Sequence, residues 1–291
     1  MILIFGAGGQ VGQELQRTAF AKGVACKALS RLEVDIANAA DVARALDETA
    51  PTLVVNAAAY TKVDLAETEI NAAQRGNEIG PGVIGKACAA RETPLIHLST
   101  DYVFDGTKIG PYMESDPLAP LGVYGRTKAA GESAVRDAAP LHIILRTSWV
   151  YGEFGNNFLK TMLRLARDRD ELRVVADQHG CPTSARDIAV AILRLAPRLE
   201  TGSDLYGLYH FAGVGATSWH GFASRIVEAQ ANITGRRPKV TAIATADYPT
   251  PARRPANSVL DCSLFVRKFG FGAHHWGEET DAVAQALTGK S

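Results

Sequence analysis

Five short, continuously apolar runs recur along the first half of this 291-residue chain, at 2–5, 24–29, 53–56, 94–98 and 142–145. The stretches between them, at 11–21, 39–49, 67–90 and 125–137, carry apolar residues at helical spacing. A strand that is apolar at every position has both faces buried, and helix-length connections let successive strands run parallel. The pattern predicts an α/β fold: a doubly wound parallel sheet with helices on both faces. Ligands of such sheets bind outside the carboxyl ends of the strands. Beyond Arg146 the pattern is less regular, with helix-like stretches at 157–169, 184–195 and 218–231 and strand-like pieces at 172–175 and 208–211. We expect residues 1–146 to form the main domain, both late strands to return to its sheet, and 147–291 to form mainly a smaller, interleaved lobe. The Pro- and Gly-rich loop at 102–123 is long for a plain connection and is expected to form part of a lid.

The first apolar run leads directly into Gly6-Ala7-Gly8-Gly9-Gln10-Val11-Gly12. Gly6 permits a tight strand-to-helix turn, Gly9 lets backbone approach a pyrophosphate, and Gly12 lets the helix pack on the strand. The N–H groups and helix dipole at Gly9, Gln10 and Val11 then favour an anion, which makes the sheet Rossmann-type and dinucleotide-binding. The second run ends at Leu29-Ser30-Arg31. An acidic residue there would bind the ribose hydroxyls of NAD, whereas Ser30 and Arg31 suit a 2′-phosphate, so NADPH is the expected cofactor, with NADH possible. Asp35 and Ile36 follow, where a carboxylate or backbone group would meet the adenine; for Asp35, helix capping is the competing role. The third run closes on Asn56-Ala57-Ala58-Ala59, whose small side chains let backbone lie against a cofactor, with Ala59, Tyr60 and Thr61 as contacts.

Bulk properties exclude other classes. The 31 basic and 31 acidic residues balance, and no basic stripe argues for nucleic acid or an anionic membrane. No apolar run approaches the roughly 20 residues of a membrane helix. The chain enters its first strand without room for a charged leader, and Cys26, Cys88, Cys181 and Cys262 lack ligand spacing. Buried thiols of a cytoplasmic protein are expected, with no metal.

The chemistry is carried by Thr100, Tyr124 and Lys128. Tyr124 and Lys128 are four apart, hence neighbours on a helix, and Ser99-Thr100-Asp101 ends the fourth apolar run. When a hydride attacks a ketone carbon, negative charge develops on the oxygen and a donor must supply a proton. Free tyrosine titrates near pH ~10, and an adjacent ammonium is expected to lower that value. Tyr124 is thus the expected proton donor, Lys128 its modulator and cofactor anchor, and Thr100 the group that orients the carbonyl. Asp101 either touches the substrate or caps the following turn.

Glycines 6–12, residues 56–67 (NAAAYTKVDLAE), 99–104 (STDYVF), 123–128 (VYGRTK) and 146–151 (RTSWVY) resemble the extended short-chain dehydrogenase/reductase superfamily. With 155–158 (GNNF), 177–183 (DQHGCPT), 208–211 and 248–258 (YPTPARRPANS), the resemblance narrows to the dTDP-4-dehydrorhamnose reductases and spans the chain. It implies reduction of the C4 ketone of a dTDP-linked 4-keto-6-deoxy sugar in a carboxyl-terminal substrate-binding lobe. Trp149 is then expected to line the sugar pocket, and Asn157 and Arg254 to meet the diphosphate. A reductase or epimerase of another nucleotide-linked deoxysugar is the nearest alternative. A non-catalytic NADP-binding subunit, like the related beta subunit of methionine adenosyltransferase, is the other. Some members are dimers bridged by magnesium on glutamates; Glu14 matches one such position, but Arg186 stands at another. Mg2+ is therefore doubtful, and a monomer or metal-free homodimer is expected.

Overall fold

The structure, a computed structural model, describes residues 1–199 and 203–289. Strands and helices alternate through the first half: β1 (Ile2–Phe5), α1 (Gln10–Ala21), β2 (Cys26–Leu29), α2 (Ala39–Thr49) and β3 (Leu53–Asn56). Two short helices follow, α3 (Val63–Ala66) and α4 (Ile70–Gln74), then α5 (Gly80–Ala89), β4 (Leu95–Thr100), α6 (Val123–Ala138) and β5 (His142–Thr147). The remainder holds β6 (Val150–Tyr151), α7 (Phe158–Asp168), β7 (Glu171–Val175), β8 (His179–Gly180), β9 (Thr183–Ser184) and α8 (Ala185–Leu199). It continues with β10 (Gly207–His210), β11 (Thr217–Ser218), α9 (Trp219–Thr234), β12 (Lys239–Ile243), α10 (Ser263–Phe269) and α11 (Trp276–Thr288).

Six strands form one parallel sheet in the order β10-β5-β4-β3-β1-β2. The chain runs outward from β1 to β2 and then crosses back to β3, so the direction of winding reverses between β1 and β3. Alternate residues serve opposite faces, as the period of a strand requires. Ile2 and Ile4 pack with Leu15 of α1, with Ile188, Ile192 and Leu195 of α8, and with Phe265 and Phe269 of α10. Leu3 and Phe5 pack on the other face with Val42 and Leu46 of α2, Ile84 of α5 and Val135 of α6. The sheet is therefore doubly wound, and one of its faces is covered by helices from the second half of the chain. A separate core unites α7, α9, α11 and β7 around Tyr151, Phe222 and Met162.

Two expectations are corrected here. Residues 171–175 do not return to the main sheet; β7 pairs in parallel with β12 in a two-stranded sheet of the lobe. Leu172 and Val174 turn into the lobe core, and that burial holds the strand there. The stretch 67–90 is not one helix: α4 passes through a π-helical segment, Arg75–Ile79, before α5 begins. Pro81 lacks the N–H that would bond the carbonyl of Asn77, so the α-helical ladder breaks at that step. The side chain of Asn77 then closes on the main chain of Tyr60 from both sides, at 2.8 and 3.0 Å, and reaches Thr127 of α6. The loop at 102–123 is also tied down. Tyr112 stacks on Phe104 with centroids 4.1 Å apart and exchanges backbone bonds with Val259 and Asp261.

The turn after β1 depends on contacts that only glycine allows. Gly6 has φ +93°, and a methyl group on Gly12 would lie 2.1 Å from the Gly6 carbonyl oxygen. Gly12→Ala is expected to lower the unfolding free energy by about 1–3 kcal/mol, the usual cost of overpacking, and to weaken NADPH binding. Urea melts and fluorescence titration check both; wild-type behaviour in each would show that α1 need not approach the turn so closely.

Candidate active site

Strand ends, the glycine turn and α6 enclose a crevice at the reversal between β1 and β3, with two adjoining chambers of about 570 and 700 Å³. Both chambers share Gly8, Gly9, Ala57, Ala59, Thr61 and Lys62. Gly6 and the Ala57-Ala58 backbone press together, because a Cβ on Gly6 would sit 2.6 Å from the Ala58 nitrogen. A Cβ on Gly8 meets no atom within 4 Å, which leaves that backbone open to the crevice. An open loop at a helix N-terminus without acidic residues in the first turn of α1 fits a dinucleotide's phosphates.

The first chamber gathers Ser30, Arg31, Asp35, Ile36 and Tyr60 from the sequence reading. Asp35 does not cap α2; Asn38 does, accepting from Ala40 N–H and Asp41 N–H. Asp35 instead accepts from Ala37 N–H and pairs with Arg75 at 2.5 Å, across the mouth of the chamber. Arg75 was not identified from sequence, because only the π-helical step carries it to the chamber. The nearest carboxylate to Ser30, Glu33, is occupied by the Ser30 N–H at 2.7 Å.

The second chamber gathers Gln10, Val11, Thr100, Asp101, Tyr124, Lys128, Trp149 and Asn157. Thr100 and Asp101 arrive on the end of β4, and Tyr124 and Lys128 on the first turns of α6. Burial pushes the Tyr124 phenol up to about 12, while the Thr100 hydroxyl pulls it down and Asp101 pushes it further up. The lowering expected from Lys128 does not prevail: desolvation of a fully enclosed phenol pushes the other way. Burial also lowers Lys128 to about 8, with Glu132 raising it, and its Nζ donates to the Leu98 carbonyl at 2.5 Å.

Trp149 stands in the left-handed region at φ +48°, a conformation costing on the order of 1–3 kcal/mol in a bulky residue. Its indole stacks on Trp219 with centroids 3.5 Å apart and planes 5° apart. Gly180 also lies against the indole, where a Cβ would come within 2.5 Å of the ring. Trp219 also lines the chamber, and no motif announced it, since it lies 70 residues away at the start of α9. Asn157 caps α7 and donates to Gln10 Oε1 at 3.0 Å, tying the lobe to the glycine turn. Arg254 is not brought to the crevice lining. Its guanidinium pairs with Asp64 on α3 at 2.8 Å, donates to Thr250 and the Ala252 carbonyl, and meets Tyr102, which lines the chamber's edge.

Glu14 and Arg186 share a separate cavity of about 100 Å³ with Arg17, Glu153 and Glu279. There Glu14 pairs with Arg17 at 2.7 Å, and Arg17 also pairs with Glu153 at 2.6 Å. Among the described residues, Asp187, His274 and Glu279 are the group whose ligand atoms lie close enough to hold a cation. All four cysteines are free thiols. Among the described residues no helix is long and apolar enough to cross a membrane.

Residues 1–288 match the family described as RmlD substrate binding domain. The dTDP-4-dehydrorhamnose reductase of Sinorhizobium fredii is 47% identical over 288 residues, covering 98% of this chain and 97% of that protein. A crystal structure of a dTDP-4-dehydrorhamnose reductase from Clostridium acetobutylicum superposes with a TM-score of 0.92 at 37% identity, covering 98% of this chain and 99% of that one. The Bacillus anthracis dTDP-4-dehydrorhamnose reductase in complex with NADP gives a TM-score of 0.89 at 35% identity, with 97% of each chain covered.

Asp101 offers a test of the site's dryness. Its Oδ1 accepts from the Thr100 hydroxyl at 3.0 Å, its Oδ2 has no hydrogen-bond partner among the described residues, and burial pushes the carboxyl up to about 7. A raised acid keeps its proton in the folded state, so stability falls as pH rises from the usual carboxylate value to about 7. The Asp101→Asn apoprotein is expected to melt above wild type at pH ~8, with the gap closing toward pH ~3, below both values. A gap that does not change with pH in thermal melts would show that Asp101 ionises freely.

Proposed function

Because the chain belongs to the dTDP-4-dehydrorhamnose reductase family, we propose that Tyr124, Thr100 and Lys128 carry out its reaction in the second chamber. The protein is an NAD(P)H-dependent oxidoreductase. It reduces the C4 ketone of dTDP-4-dehydro-β-L-rhamnose to dTDP-β-L-rhamnose, the last step of dTDP-L-rhamnose synthesis. The observation that supports the residue roles is convergence: the ends of β4 and α6 put a hydroxyl, a phenol and an ammonium into one crevice with the glycine turn.

The residues present fit a nicotinamide dinucleotide. Gly8, Gly9 and the start of α1 would hold the pyrophosphate, Ala59 and Thr61 would lie where the two chambers meet, and Tyr60 would lie on the adenine side. When bound, the cofactor supplies a hydride to the ketone carbon. The Thr100 hydroxyl turns from Asp101 to donate to the ketone oxygen and fixes its direction. Tyr124 gives its phenolic proton to that oxygen as charge develops, so the alcohol forms neutral and the phenolate is left behind. Lys128 stabilises that phenolate and holds the ribose hydroxyls. A phenol held near 12 keeps its proton until the ammonium and the developing oxyanion together draw it off. Trp149, stacked on Trp219, forms the apolar wall for the sugar, and Asp101 faces its hydroxyls.

The cofactor is NADPH in preference to NADH. Ser30 and Arg31 close the first chamber where the 2′-phosphate would lie, and Glu33 is turned back onto Ser30 rather than into the ribose position. Arg254 reaches the diphosphate only by leaving Asp64. The protein works as a monomer or a metal-free homodimer in the cytoplasm, since the Arg17 and Arg186 side chains bring positive charge to the cavity around Glu14.

Tyr124→Phe is expected to lower kcat by ~10²-fold or more while NADPH affinity stays within a few-fold, the range for lost acid catalysis. Stopped-flow NADPH oxidation, with the preceding epimerase supplying the ketosugar, measures this; near-normal turnover would remove Tyr124 from the proton step. Arg31→Ala is expected to raise the KM for NADPH roughly tenfold or more and leave that for NADH unchanged, as for loss of a charged hydrogen bond. An equal effect on both cofactors would place Arg31 outside the 2′-phosphate site. A panel of dTDP-, GDP- and UDP-linked ketosugars separates this substrate from other nucleotide sugars.

A further inference from the structure

We propose that Glu132 is a positioning residue of the active site, tying the strand that bears Thr100 to the helix that bears Tyr124 and supplying the counter-charge of Lys128. The inference rests on the roles assigned to Thr100, Tyr124 and Lys128 above.

Glu132 lies one helical turn beyond Lys128 on α6 and is fully buried. Its Oε1 accepts from the Ser99 hydroxyl at 2.5 Å and from Arg146 Nε at 2.9 Å, and its Oε2 accepts from Arg146 Nη2 at 2.7 Å. Ser99 is the residue before Thr100 on β4, and Arg146 is its direct neighbour across the sheet on β5. One carboxylate thus joins α6 to the carboxyl ends of two adjacent strands. Arg146 is itself backed by His210 Nε2 at 3.4 Å and by the Phe104 ring at 5.2 Å, so the cluster is closed on the far side.

Glu132 pairs with Arg146 and lies one helical turn from a second cation, Lys128. Its bidentate partner is Arg146, and it is also the carboxylate that favours the charged form of Lys128 against burial. Among the other groups near Lys128, Tyr124 precedes it on α6 and keeps its proton, and His97 on β4 is neutral, held well below its ordinary value by burial. Asp101 lines the same chamber with a carboxyl raised to about 7, so below neutrality it stays protonated. The one bond to Nζ seen here, to the Leu98 carbonyl, comes from the residue beside Ser99, so the same strand that Glu132 holds also aims the ammonium.

The test follows the ionisation of Lys128 itself. Full-length protein with ¹³C-labelled lysine is titrated by NMR, with the Lys128 Cε signal identified by its loss in Lys128→Met. Glu132→Gln is expected to lower the midpoint of that signal by about one pH unit, a tenfold loss of proton affinity. It should also move the alkaline fall of NADPH affinity down by the same amount. Glu132→Asp, which keeps the charge, is expected to restore the midpoint toward wild type even where its melting temperature falls. If Glu132→Gln leaves Arg146 unpaired and does not fold, Glu132→Gln/Arg146→Met is read against Arg146→Met, which lacks the same cation, and should show the lower midpoint of the two. A wild-type midpoint in Glu132→Gln, or equal midpoints in the two Arg146→Met proteins, overturns the proposal and leaves Glu132 as a staple between helix and sheet. Lack of ketosugar reduction by the wild-type enzyme would instead overturn the catalytic roles, and the titration distinguishes the two failures because it needs no turnover.

Discussion

A parallel sheet buried on both faces has room for polar groups at its rim, and this constraint governs where the chemistry of the molecule lies. Within the strands, Leu3, Ile4, Val54, Val55, Ile96, Ile143 and Ile144 are almost wholly removed from water. At their carboxyl ends the character changes at once: Asn56 on β3, Ser99 and Thr100 on β4, Arg146 and Thr147 on β5, and His210 on β10 are all polar and all buried. Each needs partners, because an unpaired polar group away from water costs on the order of 1–3 kcal/mol. Ser99 and Arg146 find theirs on α6, Asn56 on His97 of β4, and His210 on the Tyr112 carbonyl. The cost of enclosing Arg146 is met by Glu132, and enclosing Glu132 in turn fixes the helix that carries the phenol and ammonium.

The same logic explains how a loop without secondary structure becomes a rigid cofactor wall. The segment from Ala57 to Lys62 has no strand or helix of its own, yet its backbone is pinned by Asn77 and pressed by Gly6. Asn77 can reach it because the π-helical step displaces the residue from an ordinary helical face. An irregularity in one element thereby removes freedom from another, and little ordering entropy is left to be lost when a ligand binds.

Much of this was readable before any coordinates. The runs at 2–5, 53–56 and 142–145 are apolar at every position, which only a sheet covered on both sides rewards, and the doubly wound fold follows. The glycine turn and the Tyr124–Lys128 pair were visible because their partners are close in sequence or because the chemistry restricts the residue types. What escaped has a common cause. Trp219 and Arg75 reach the crevice through tertiary placement alone, with no local spacing to mark them. Arg254 is diverted by Asp64, 190 residues earlier in the chain, and no pattern links the two. The strand at 171–175 looks the same whether it joins the main sheet or β12, because strand patterning records burial and not the identity of the neighbour. The acidity of Tyr124 was misjudged for a different reason: spacing shows which residue stands beside it, but not how completely the pair is shut off from water.

The covering of one sheet face by α8 and α10 has a consequence for synthesis. Ile2, Ile4, Leu53 and Val55 are the earliest parts of the sheet to leave the ribosome, yet Ile188, Ile192, Phe265 and Phe269, which shield them, emerge last. Until then the nascent chain carries a naked oily surface, and translation of the second half proceeds against the hazard of clumping with its neighbours on the polysome. A stop codon before α8 leaves that surface with only α1 to cover it, so a truncated product is a substrate for chaperones and proteases rather than a smaller nucleotide-binding module.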